Sequence, residues 1–136
     1  MNRPIVHDPL FLALKSEPAA EADRQVIADL LDTLRANLDR CVGMAANMIG
    51  VRKRIIVFCQ GPMQMIMVNP QIISKSGAYE AEEGCLSLSG VRKTKRYQRI
   101  TVKYQDQAFR QRTGTFEGFT AQIIQHEMDH CDGILI

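Results

Sequence analysis

The string Gln125-His126-Glu127-Met128-Asp129-His130 constrains this chain more than any other stretch. On an α-helix, residues four apart stand on one face, so both imidazoles can reach one cation while Glu127 beside them handles a proton. A catalytic metal takes three protein ligands and keeps a fourth position open, so a third ligand is required. Only residues 131–136 follow His130. Cys131 points about 100° around the helix from His130, and Asp132 comes at the helix end, so neither is a suitable donor. The third ligand is therefore expected upstream, and the chain must fold back to deliver it.

A string of this kind also occurs on ordinary solvated helices, so the rest of the chain has to support it. A thiolate beside two imidazoles suits a first-row divalent ion. Of the upstream cysteines, Cys59 closes an apolar strand and reads as a buried thiol, the usual fate of a free cysteine. Cys85 has the better setting than Cys41 or Cys59. Gly84 ahead of it allows an unusual backbone angle that can aim the thiolate, and Glu82 and Glu83 can orient neighbouring groups.

At 136 residues the chain is read as one domain spanning residues 1–136. Hydrophobic content of 46% and charged content of 24% fit a globular protein, and no apolar run approaches the roughly 18 residues of a membrane span. The first residues lack a signal-peptide core, which points to the cytoplasm and to reduced thiols. A net charge of +2 and 6% aromatic residues argue against specific nucleic-acid recognition, so the basic cluster Arg92-Lys93-Thr94-Lys95-Arg96 reads as a solvated loop.

Residues up to about 18 read as an irregular lead-in. An amphipathic helix follows over about 21–38, with Val26, Ile27, Leu30, Leu31, Leu34 and Leu38 on its apolar face. The uncharged, small-residue stretch 41–50 implies close approach of another backbone or a ligand. Residues 54–59 form a buried strand, and two strand segments flank Pro70. Methionines here are core fillers. Residues 99–105 alternate as a half-buried strand, and 109–116 form another, with Gly114 as an irregularity. Gly118 opens the last helix, on which Phe119, Ile123 and Ile124 face the core; Asp132-Gly133 stops it.

Taken together, Glu83-Gly84-Cys85-Leu86-Ser87 and His126-Glu127-Met128-Asp129-His130 resemble two of the three signature motifs of the peptide deformylase family, and Gly43-Met44-Ala45-Ala46 matches the third in place. The likeness runs from about residue 7 to 136. It implies an α+β fold with antiparallel sheets packed around the HExxH helix and an N-terminal helix. It further implies one divalent metal ion held by Cys85, His126 and His130, Fe²⁺ in the cell with Zn²⁺, Ni²⁺ or Co²⁺ able to replace it. Water activated by the metal would attack the formyl carbon of an N-formylmethionyl peptide on a nascent chain. Glu127 would accept the proton and pass it to the departing amine, with transient ribosome contact. Val42, Gly43, Met44, Phe119 and Ile123 would line the methionine pocket, and the Gly43 segment would pair with the extended peptide.

The chain departs from the family pattern at several places. Cys41 stands for the first glycine of the Gly-rich motif, Met48 for its closing glutamine, and Ser89 for a frequent proline. The glutamine amide would donate to the carbonyl oxygen beside the backbone N–H of Leu86; a thioether donates nothing. Loss of one such donor lowers turnover by ~10²–10³ without affecting metal binding. The alternative is a metal- and peptide-binding paralogue impaired in catalysis; an endopeptidase would need an extended cleft.

Overall fold

The structure, a computed structural model, describes every residue of the chain except Leu86, Leu88, Ser89 and Ile136. Five antiparallel strands form one sheet in sequence order: β1 (Gly43–Ala45), β2 (Ile55–Gln60), β3 (Met63–Gly84), β4 (Val91–Gln105) and β5 (Gln111–Glu117). The plural sheets expected from sequence are thus one continuous sheet. Alternation along β2 explains how it organises two cores. Ile55 and Val57 pack with Ile27, Leu30, Leu31 and Leu34 of the helix α2 (Arg24–Ala36). Ile56 and Phe58 pack on the other side with Ile123, Ile124 and Met128 of the helix α3 (Gly118–Cys131).

The lead-in contains a short helix, α1 (Pro9–Leu12), because Asp8 caps it by accepting the Leu10 N–H at 3.0 Å and Pro9 occupies its first position. Helix α2 is shorter than expected, ending at Ala36 and leaving Leu38 exposed. Cys59 is half-buried rather than buried. Met44, Met48 and Met67 fill core space as expected, whereas Met63 is exposed.

The segments around Pro70 are one strand, not two. Asn69, at φ 50°, sits in a register shift between Val68 and Gln71, and its amide donates to the Ala19 carbonyl at 2.9 Å and accepts the Ala19 N–H at 2.7 Å. Gly114 is also regular, paired in register with Val102.

The basic cluster is not a solvated loop. It runs within β4, where Glu80 faces Lys95, Glu82 faces Lys93 and Glu83 faces Arg92 across the hairpin. Opposite charges on facing residues favour the ladder, and alternation turns Arg96 inward to only 3% exposure.

Candidate metal centre

Helix α3 crosses behind β1 at the closest possible range. A Cβ on Gly43 would stand 2.6 Å from Ile123 Cγ2 and 3.0 Å from Glu127 Oε2, so only glycine lets the helix approach. Side-chain hydrogen bonds lock the helix in place. Gln125 accepts the Tyr97 N–H and donates to the Tyr97 carbonyl, and the Asn47 amide donates to the His130 carbonyl at 2.9 Å. At its C-terminus, Gly133 (φ 74°) leaves no space for a side chain, with Ala13 O 2.5 Å from where a Cβ would lie.

The hairpin end carries Cys85 to this helix. Cys85 Sγ lies 3.3 Å from His130 Nε2, which lies 3.1 Å from His126 Nε2, and the three donor atoms all fall within 4.8 Å of one another. Tetrahedral bonds of about 2.0–2.3 Å to one ion would put such donors roughly 3.3–3.6 Å apart, so the two separations from His130 need adjustment of only a few tenths of an ångström. The electrostatics agree with that fit. Burial disfavours charge on His126, but Cys85, Glu127 and Glu83 raise it to about 10, while burial and the neighbouring charge push His130 down to about 3. The two facing imidazoles thus cannot both carry a proton between them, a conflict that a divalent cation resolves.

His126 is oriented by Glu83, whose Oε1 accepts from Nδ1 at 2.8 Å and so leaves Nε2 free as a ligand. Burial opposes ionisation of Glu83, yet hydrogen bonds from His126, Arg96 and Gln122 hold it down at about 2. Arg96 is the anchor. Its guanidinium meets Glu83 at 2.7 Å and Asp129 of α3 at 2.7 Å, tying the hairpin to that helix from the inside. Arg96→Leu would leave these acids without their buried cation. It is expected to cost about 3–5 kcal/mol of stability and, by loosening His126, ~10–100-fold in metal affinity. Urea unfolding and metal titration test both; unchanged values in the variant would exclude the anchoring role.

Glu127 is buried beneath Gly43, and its Oε1 has no hydrogen-bond partner among the described residues. Burial raises its carboxyl to about 7, overriding the lowering influence of His126. A buried carboxyl group with an unpartnered oxygen beside an open cavity is suited to exchanging a proton. The cavity measures about 240 Å³ and is lined by Val42, Gly43, Cys85, Phe119, Ile123 and His126, among others.

Two residues expected at this cavity lie elsewhere. Met44 is fully buried against α2, because alternation along β1 turns the neighbour of Gly43 to the opposite face. Met48 belongs to the same core, its sulfur accepting the Ala45 N–H at 3.4 Å; Cys85 packs against this core from outside. Phe119, expected both on the core face and at the methionine pocket, is 63% exposed and lies at the cavity, in the first turn of α3. Leu86 and Ser89 lie outside the described residues. Cys131 is buried in the α3-side core, where burial pushes its thiol up to about 12.

Sequence reading did not find Arg96 or His7. The alternation of 92–96 opposite acids at 80–83 was the available signal for Arg96. His7 donates from Nδ1 to the Ser87 carbonyl at 2.9 Å, supporting the Cys85 segment across 80 positions of sequence, and no local pattern announces it.

The polypeptide deformylase family profile matches residues 3–136. A peptide deformylase of Clostridium beijerinckii is 60% identical over 136 residues, covering all of both chains. Among solved structures, the Met-Ala-Ser-bound class I type b peptide deformylase of Acinetobacter baumannii superposes with a TM-score of 0.88 at 29% identity, covering 99% of this chain and 97% of that one. The peptide deformylase of Legionella pneumophila gives 0.88 at 36% identity, covering 99% and 83%. With the family profile spanning nearly the whole length and the Cys85, His126 and His130 donors converging in space, this chain belongs to the peptide deformylase family.

Proposed function

We infer that this chain removes the N-formyl group from formylmethionyl peptides, releasing formate and a free amino terminus. The observation that carries this reading is the convergence of Cys85, His126 and His130 beside Glu127, whose Oε1 is unpaired among the described residues. Nothing in the site favours the binding-only alternative.

Cys85, His126 and His130 are the residues that would hold the metal, and their thiolate and imidazole donors suit Fe²⁺ in the cell, with Zn²⁺, Ni²⁺ or Co²⁺ as substitutes. When bound, the ion supplies Lewis acidity toward water and the formyl oxygen. Glu127 Oε1 takes the proton of the attacking water and delivers it to the amine as the C–N bond breaks. The backbone N–H of Leu86 would steady the carbonyl oxygen. The peptide would lie extended along β1, which is one of the two edge strands of the sheet, with Val42, Gly43, Phe119 and Ile123 around the methionine side chain. The 42% exposure of Val42 supports its place at the entrance.

No helix among the described residues is long and apolar enough to cross a membrane. The same reading places the action of residues 1–136, as one domain, on nascent chains in the cytoplasm, with transient ribosome contact and no specific nucleic-acid recognition. Formate release from formyl-Met-Ala-Ser by anaerobically prepared Fe²⁺ or Ni²⁺ protein tests the activity; metal-loaded protein that releases none would refute it. The ligand assignment has its own test. Cys85→Ser is expected to lose more than the ~10–100-fold in metal affinity that a supporting residue costs, while Cys131→Ser keeps the ion. Equal metal content in Cys85→Ser by elemental analysis would exclude Cys85 as a ligand.

A further inference from the structure

Gln122, Ile123 and His126 stand three, four and seven residues after Phe119, so a single face of α3 forms one wall of the cavity. Phe119 and Ile123 are apolar and His126 is a metal-site residue. Gln122 alone on this face presents an uncharged polar group to whatever enters. At about 240 Å³ the space is smaller than the roughly 300–1,000 Å³ of pockets that bury drug-sized ligands, and suits one amino-acid side chain.

The orientation of that amide is fixed by its neighbours. Glu83, already receiving the Arg96 guanidinium, can only accept, so Gln122 turns Nε2 toward it and donates to Oε2 at 2.9 Å. Tyr79, from the same strand as Glu83, donates its hydroxyl to Gln122 Oε1 at 3.2 Å. An amide has two N–H protons and two lone pairs on oxygen. One of each is committed to these partners, leaving one N–H and one lone pair uncommitted among the described residues, on a side chain that can no longer rotate freely.

We propose that Gln122 determines specificity in this cavity, its anchored amide favouring a first residue whose side chain carries a hydrogen-bond acceptor. The acceptor is the sulfur of methionine or the oxygen of methionine sulfoxide; norleucine, equal in shape to methionine, offers none. The proposal rests on the cavity being the seat of the first side chain. A thioether is a weak acceptor and a sulfoxide a strong one, so the two rank differently against norleucine.

The test is calorimetric binding of Met-Ala-Ser, its norleucine analogue and its methionine-sulfoxide analogue to Ni²⁺-loaded protein, in wild type and Gln122→Leu. Gln122→Met serves as a second apolar variant should the first fail to fold. The sulfoxide-to-norleucine affinity ratio is expected to fall by about tenfold or more in the variants, because the buried sulfoxide oxygen loses its donor. The methionine-to-norleucine ratio is expected to fall to about one. A merely structural role for Gln122, acting through Glu83 on His126, would weaken all three peptides equally and leave the ratios unchanged. Equal binding of methionine and norleucine peptides by wild type, or ratios that survive in the variants, would overturn the proposal. Failure of all three peptides to bind metal-loaded wild type would overturn the assignment of the cavity as well.

Discussion

Replacing Glu127 with glutamine is expected to lower formate release by ~10²–10⁴-fold while metal content stays at the wild-type level. The substitution preserves shape, which matters because Glu127 Oε2 lies only 3.0 Å from the position a Cβ on Gly43 would take, so a larger side chain would push α3 off β1. Glutamine cannot accept and return a proton at the unpaired Oε1, and no other carboxylate among the described residues is placed to substitute. Glu83 is saturated by Arg96, His126 and Gln122, and Asp129 is turned toward Arg96. Single-turnover assays with parallel elemental analysis separate proton transfer from metal loss. Activity close to that of wild type in a metal-replete Glu127→Gln protein would remove this residue from the reaction.

The second large effect runs in the opposite direction. Met48→Gln is expected to raise formate release by as much as ~10²–10³, the usual worth of one donor to a developing oxyanion. The thioether of Met48 now receives the Ala45 N–H at 3.4 Å in the α2-side core. A glutamine oxygen can take over that role, and its NH₂ is then free to serve the side on which Cys85 packs. If the NH₂ stays in the core instead, burial without a partner costs about 1–3 kcal/mol, and a lower melting temperature without a gain in rate would report it. Equal rates in wild type and Met48→Gln would mean that the metal and main-chain donors suffice, and that the departure at position 48 is neutral for catalysis.

The parts of the molecule legible in its sequence were those whose information is local. The HExxH spacing specifies a helix face, the β-branched run before Cys59 specifies β2, and the three-and-four periodicity from Ile27 to Leu34 specifies α2. Cys85 was legible through the glycine before it and the motif around it. What escaped depended on pairing between distant segments. Whether Met44 or Gly43 faces α3 is decided by the register of β1 on β2, and a shift of one residue would exchange them. The charged stretch from Arg92 to Arg96 looked solvated because its acidic partners lie across the hairpin, and its register there turns Arg96 alone inward. Phe119 looked like core by helical spacing while the motif resemblance placed it at the pocket, and the first turn of α3 does lie at the cavity.

The donors at Cys85 and His130 are separated by 45 positions along the chain. An ion bound there would act as a removable staple between the hairpin end and the last helix. Resistance to unfolding would then depend on supply: free metal at 100 times its dissociation constant adds about 2.7 kcal/mol, and chelation withdraws it. In a cell short of the ion, this protein would lose its activity and its protection from proteases together, so that its abundance would follow metal availability without any dedicated regulator.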